Sequence, residues 1–343
     1  MDTKDIREIM TREHSGFIFT NNCEYELSKF TLYSCSNSEI EVKVLGGHIA
    51  VSDYFLMYAL ICLGHATAEM VYRYLHKMKK DHPEMIIPGR DISGIRTRLK
   101  ILSGYGVTRG FTYKPAADCR EGINIYCIAD SGAKLVQRGL YRDCRYDSLC
   151  STETVSLVLR RAVCNYVGTI MMGNHMCVEY MAKTEIHLGK GEKMQAYGRL
   201  YYKTGDGDNE RKYLVFIEPM FYAYDARIMD AKGNLSQLAT RISNFSKHLD
   251  FLKDKYTDTA LIVCVENWEG FIKSVQLISQ RAPELLPKCY FICDRVLYLD
   301  DSEKKNVAGS FISVGLSNSE GKTAINYKIA EHPVFFPGKD LFD

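Results

Sequence analysis

Between Ala50 and Arg145 apolar residues recur every three or four positions; before and after that stretch they alternate with polar ones or run together. From Gly16 to Val44 the segments "GFIFT", "KFTLYSC" and "EIEVKVL" are β-branched or aromatic at alternate places, with "TNN" and "SNS" as turns. That pattern predicts short strands, so residues 1–47 read as a β-rich lead-in that covers a hydrophobic flank of the helical stretch.

At Ala50 the period becomes helical. "VSDYFLMYALICLGHA" has Ser52 or Asp53 placed to cap it and Gly64 to stop it. A second helix is predicted from Thr67 to Met78, capped by Thr67 and burying Val71, Tyr74, Leu75 and Met78. The prolines of "KKDHPEMIIPG" close the pair.

The next segment, "RDISGIRTRLKILSGYG", predicts a helix with two unlike faces. At about 100° per residue, Ile92, Ile95, Leu99 and Leu102 share one side, while Arg90, Ser93 and Thr97 lie opposite, flanked by Arg96, Arg98 and Lys100. "VTRGFTY" and "INIYCIA" then read as a hairpin carrying Arg109, Lys114 and Arg120, and "DSGAKLVQRGL" as a closing helix. Three helices followed by a basic hairpin is the order of a winged helix-turn-helix, expected over residues 48–145. The third helix of such a module enters the major groove and the wing lies over the adjacent backbone. The residues expected at double-stranded DNA are Arg90, Ser93, Arg96, Thr97, Arg98 and Lys100 from the helix, with Arg109 and Lys114 from the wing. The same module can also serve protein contacts alone, because a fold does not fix a function.

Charge sharpens this reading. From His48 to Arg145 there are fifteen lysines and arginines against nine aspartates and glutamates, so the module carries an excess of six positive charges in a chain of net charge +2. A basic module on a mildly acidic body suits an anionic partner for the module.

After Tyr146–Ser151, read as a linker, "TETVSLVLRRAVCNYVGTIM" predicts a helix, "MQAYGRLYYK" and "RKYLVFIEPM" strands, and Leu235 to Lys255 a long helix. The strand "DTALIVCVE", a helix from Trp268 to Ile278 and the strand "KCYFICD" complete the run. Continuous apolar strands alternating with helices suggest a mixed central sheet covered on both faces. The fold class expected is therefore α+β or α/β: an N-terminal winged helix followed, over residues 151–343, by a mixed-sheet domain of restriction-endonuclease-like type.

In this order of elements the chain resembles the replication-relaxation-like proteins of plasmids and conjugative elements. That resemblance implies a Pro-Asp pair on one strand, an acidic pair on the next and a basic residue in the following helix. Here these fall on Met194 and Gln195, on Glu218 in "FIEP", and on Arg241 in "ATRISNF". Glu218 and Arg241 match; Met194 and Gln195 do not. A metal-dependent nuclease needs at least two carboxylates for Mg²⁺ and a nearby lysine. The expectation is a domain without cleavage, with no catalytic residue and with Glu218 either a vestige or the structural ion-pair partner of Arg241.

Composition excludes more than it adds. The twelve cysteines contain no CxxC pair and the nine histidines no HxxxH, so no metal site is expected. No GxxxxGK[ST], GxGxxG or GxSxG occurs, and "GKGEK" at Gly189–Lys193 reads as a charged turn, so no nucleotide or other cofactor is expected. The longest apolar stretch is too short to span a bilayer, which predicts a cytoplasmic protein without a membrane partner. The function expected is a DNA-binding accessory protein of a mobile element, in replication, transfer or transcription regulation. It is expected to act with a relaxase or replication initiator and to have the capacity to form a homodimer. A metal-dependent DNA endonuclease and a protein-interaction scaffold are the alternatives.

Overall fold

The structure, a computed structural model, describes residues 7, 26–29, 35–114, 123–144, 146, 155–189, 192–221, 231–293, 311–319 and 322–335. The chain is a mixed α+β protein in two compact units, one of residues 24–172 and one of residues 1–23 with 173–343.

The 24–172 unit opens with β1 (Glu26–Lys29) and α1 (Asn37–Leu45). "EIEVKVL", expected as a strand, is helical within α1. A capping box overrides its short alternation: the Ser36 amide donates to Glu39 Oε2 at 2.8 Å and the Glu39 amide donates to Ser36 Oγ at 3.3 Å. Ile40 is then buried on the inner side. "GFIFT" and most of "KFTLYSC" lie outside the described residues.

Three helices come next: α2 (Val51–Leu63), α3 (Ala68–Asp81) and α4 (Ile92–Gly104). Gly64 stops α2 at φ 72°, and Thr67 caps α3 through the Met70 amide at 3.4 Å. Their apolar stripes meet in one core of Leu56, Leu60, Met70, Val71, Leu75, Ile95, Leu99 and Leu102. Then come β2 (Thr108–Lys114), β3 (Ile123–Ile128) and α5 (Asp130–Gly139). The sheet is antiparallel in the order β1-β2-β3. On the side of β3 away from β2, Ala66 pairs with Tyr126 through both backbone groups, 3.0 and 2.8 Å, so the short connection between α2 and α3 adds a rung. Gly132 lets α5 press against the start of β2: a Cβ there would stand 2.1 Å from the Val107 carbonyl oxygen.

Helix α6 (Val155–Met171) belongs to this unit, so the boundary falls after Met172 rather than in the linker expected near Tyr146–Ser151. Its polar groups explain why. Asn165, 1 % exposed, donates from Nδ2 to the carbonyls of Leu63 at 2.6 Å and His65 at 2.7 Å, satisfying the end of α2. At the next position, Tyr166 approaches Glu69 and lies under the Arg73 guanidinium, both on α3.

The other unit holds a seven-stranded sheet in the order β10-β9-β8-β7-β6-β5-β4. The strands are β4 (Cys177–Gly189), β5 (Glu192–Thr204), β6 (Arg211–Pro219), β7 (Asp258–Val265), β8 (Cys289–Cys293), β9 (Ile312–Ser319) and β10 (Lys322–Ile329). The three central strands, β6 to β8, are parallel and the outer ones antiparallel. The crossovers are α7 (Ala231–Leu252) and α8 (Trp268–Arg281), which pack with the sheet around Phe216, Ile242, Phe245, Val263, Phe271, Val275 and Phe291. β7 and β8 are buried almost throughout, in keeping with their unbroken apolar sequence.

Candidate nucleic-acid interface

Helix α4 starts at Asp91, whose Oδ1 accepts the Gly94 amide at 2.7 Å. Gly89, at φ 106°, brings the preceding turn against the backbone of Gly94 and Ile95. Only a residue without a Cβ fits this approach, and it sets Arg90 at the entrance of the helix.

From there Ile95, Leu99 and Leu102 point into the core, while Ser93, Arg96, Thr97, Lys100 and Ile101 are exposed. These five share one side of the helix, and α4 contains no acidic residue. Between Ser93 and Lys100 the stripe runs about 10 Å, the length of about three base steps on one strand. Arg90 is exposed at its start.

Arg98 does not share that stripe. It lies about 100° round from Thr97, and its guanidinium is engaged inside the unit. Nε donates to Asp53 Oδ1 at 2.6 Å, Nη2 to Asp53 Oδ2 at 2.5 Å, and Nη2 also to the His48 carbonyl at 2.6 Å. Asp53 is completely buried, and its Oδ2 also accepts the Ala50 amide at 2.7 Å, closing the first turn of α2. These bonds hold the Arg98 pKa above its ordinary value, the hydrogen bonds to Asp53 contributing most. Sequence reasoning misses Asp53 and His48 as partners of Arg98, since nothing in local periodicity joins positions 45 or more residues apart.

On the hairpin, Arg109 is half-buried in β2 opposite Cys127, and Lys114 ends β2 opposite Glu26 of β1. β2 is therefore paired on both sides, unlike the free outer strand of a two-stranded wing. Arg120 lies outside the described residues. The start of β2 is tied to α4 by polar contacts: Ser103 Oγ and Thr108 Oγ1 are 2.9 Å apart, and Thr108 reaches the Leu99 carbonyl.

In the sheet unit, the positions carried over by resemblance do come together. Glu218, nearly buried near the end of β6, accepts Arg241 Nε of α7 at 2.5 Å, and Arg241 Nη2 donates to the Gln195 carbonyl of β5 at 2.9 Å. The guanidinium carbon lies 5.6 Å from the centre of the Tyr197 ring. Met194 is buried in the apolar core and Gln195 is exposed. Among the described residues no group of three histidine, cysteine, aspartate or glutamate side chains is arranged to hold a metal ion. Among them, too, no helix is long and apolar enough to cross a membrane.

The fold and these two sites define a mixed α+β protein that joins a helical unit with a three-stranded antiparallel sheet to a unit with a seven-stranded mixed sheet. The chain matches no protein-family model, and no curated protein or solved structure is significantly similar to it.

Proposed function

We propose that residues 48–145 act as a winged helix-turn-helix that binds double-stranded DNA, with α4 in the major groove and the β2–β3 hairpin against the backbone. The observation that carries this reading is the solvent-facing stripe Ser93, Arg96, Thr97 and Lys100, without acidic residues on a helix whose opposite side is core. A base-reading helix needs donors and acceptors on a solvent face together with cations for phosphate. The element order supports it: α2, the Ala66 rung, α3, α4, then β2 and β3.

The protein then serves as a DNA-binding accessory factor of the replication-relaxation-like kind, in replication, transfer or transcription, together with a relaxase or initiator or as a homodimer. The restriction-endonuclease-like reading of the sheet unit rests on the strand order β4 to β7 with α7 as crossover. A role without cleavage is favoured by the engagement of Glu218 with Arg241 and by the lack of a carboxylate at Met194 and Gln195.

The test is duplex binding across a salt series. Arg96→Ala should weaken binding to a selected duplex by about 1–3 kcal/mol, and Lys114→Ala should lower the salt slope by about one. If neither variant changes affinity at low salt, the groove assignment is wrong. Cleavage of supercoiled DNA in Mg²⁺ that Glu218→Ala abolishes would replace this reading with the endonuclease one.

A further inference from the structure

We propose that Arg98 and Asp53 are a positioning pair that sets the rotation of α4 about its own axis, so that Arg98 serves DNA recognition without touching DNA. The proposal rests on the DNA-binding reading of α4 and assigns a role within it.

A helix held only by an apolar stripe keeps some freedom to roll, because Ile95, Leu99 and Leu102 contact their neighbours through non-directional packing. The reading side of α4 is narrow, and a roll of one residue's angular step would replace Arg96 by its neighbours. Arg98 occupies the flank between the reading side and the core, where a directional bond resists roll best. The bond found there has fixed geometry: two parallel N–H donors of a planar guanidinium meet both oxygens of one carboxylate, at 2.6 and 2.5 Å. The carboxylate is itself fixed by the Ala50 amide, and the guanidinium has a third acceptor in the His48 carbonyl.

A second contact holds the same connection to the far end of the helix. Tyr105, immediately after α4, lies with its ring 4.5 Å from Lys43 Nζ and 6.4 Å from the His48 ring. The segment from Lys43 to Asp53 thus grips α4 at Arg98 and at Tyr105, about two turns apart. Being wholly buried, Asp53 cannot contact DNA, which makes it the means of separating positioning from contact.

The experiment is fluorescence anisotropy of the full-length protein with a duplex selected by the wild type from a random pool, and with a random duplex, across a salt series. Arg98→Gln, Arg98→Lys, Asp53→Asn and the Arg98→Gln/Asp53→Asn double variant are compared, each well below its unfolding midpoint by circular dichroism. Arg98→Gln and Asp53→Asn should each lower the selected-to-random affinity ratio by about tenfold with the salt slope unchanged. Arg98→Lys should restore part of it, and the double variant should be no worse than either single one. A role in stability alone scales both affinities with the folded fraction and leaves the ratio untouched, so an unchanged ratio overturns the proposal. So does a salt slope lowered by about one in Arg98→Gln with Asp53→Asn binding like wild type, which would make Arg98 a phosphate contact. A wild type that selects no duplex would remove the DNA reading and this proposal with it, an outcome visible before any variant is made.

Discussion

Both units contain an arginine on a helix forked between a buried carboxylate and a backbone carbonyl, and the two pairs do different things. Arg98 joins Asp53 and the His48 carbonyl; Arg241 joins Glu218 and the Gln195 carbonyl. Around Arg98, the neighbours Arg96, Thr97 and Lys100 form a continuous polar surface that the pair leaves open to solvent. Around Arg241 the pair lies beside a tyrosine ring and an apolar core. The same kind of ion pair thus stands in two settings: one borders a polar, solvent-facing surface, the other an aromatic ring and an apolar core.

Removing the carboxylates tests this contrast most severely. Asp53→Ala should cost about 3–5 kcal/mol, because it strands a partly buried guanidinium and frees the first turn of α2, and DNA binding should fall with it. Glu218→Ala should cost less than that, since Asp53 in addition accepts the Ala50 amide that closes the first turn of α2, and should leave DNA affinity of the folded protein unchanged. Chemical denaturation beside anisotropy measures both, and equal loss of DNA binding in the two variants would end the distinction.

A smaller effect separates the units by what holds them. In the helical unit Asn165 bridges two carbonyls at the end of α2, whereas β7 of the sheet unit is buried almost wholly through apolar side chains. Asn165→Ala should cost about 1–3 kcal/mol by leaving the buried Leu63 and His65 carbonyls without their donor. Ile262→Val, in the middle of β7, should cost about 1 kcal/mol. Urea midpoints would show whether that order is reversed.

The smallest effect concerns pH in the sheet unit. Burial pushes the Asp258 carboxyl up, but the hydrogen bonds from His332 and the Thr259 amide outweigh it and hold the group below its ordinary value. A carboxyl depressed by folding stabilises above its unfolded pKa, about 3.9, and that contribution disappears as pH falls through the folded value. Asp258→Asn should therefore flatten the stability curve below pH about 4, by under about 1 kcal/mol because the carboxylate is half exposed. A thermal midpoint with the same acid dependence in variant and wild type would show that this pair contributes nothing.

Much of the helical unit is legible because its signals are local. Thr67 and Gly64 mark helix ends by bonds to their own neighbours, and the spacing of Ile95, Leu99 and Leu102 states which side of α4 is inward. The same local reading fails at "EIEVKVL", where Ile40, Val42 and Val44 alternating with charged residues fit a strand and a helix alike and the deciding Ser36–Glu39 box has the composition of a turn. In the sheet unit β6, β7 and β8 announce themselves as apolar runs, while β9 and β10, with serines, asparagines and a glycine, carry no such signal and are strands because each pairs with a neighbour.

Spacing and residue type along the chain were therefore enough to establish most of the order of elements and the cationic side of α4. Only tertiary structure decided that Arg98 leaves its cationic neighbours for Asp53, that α6 completes the helical unit through Asn165, and that Glu218 is taken by Arg241. Hydrogen bonds between residues 23 to 102 positions apart make those choices, and no periodicity along the chain encodes them.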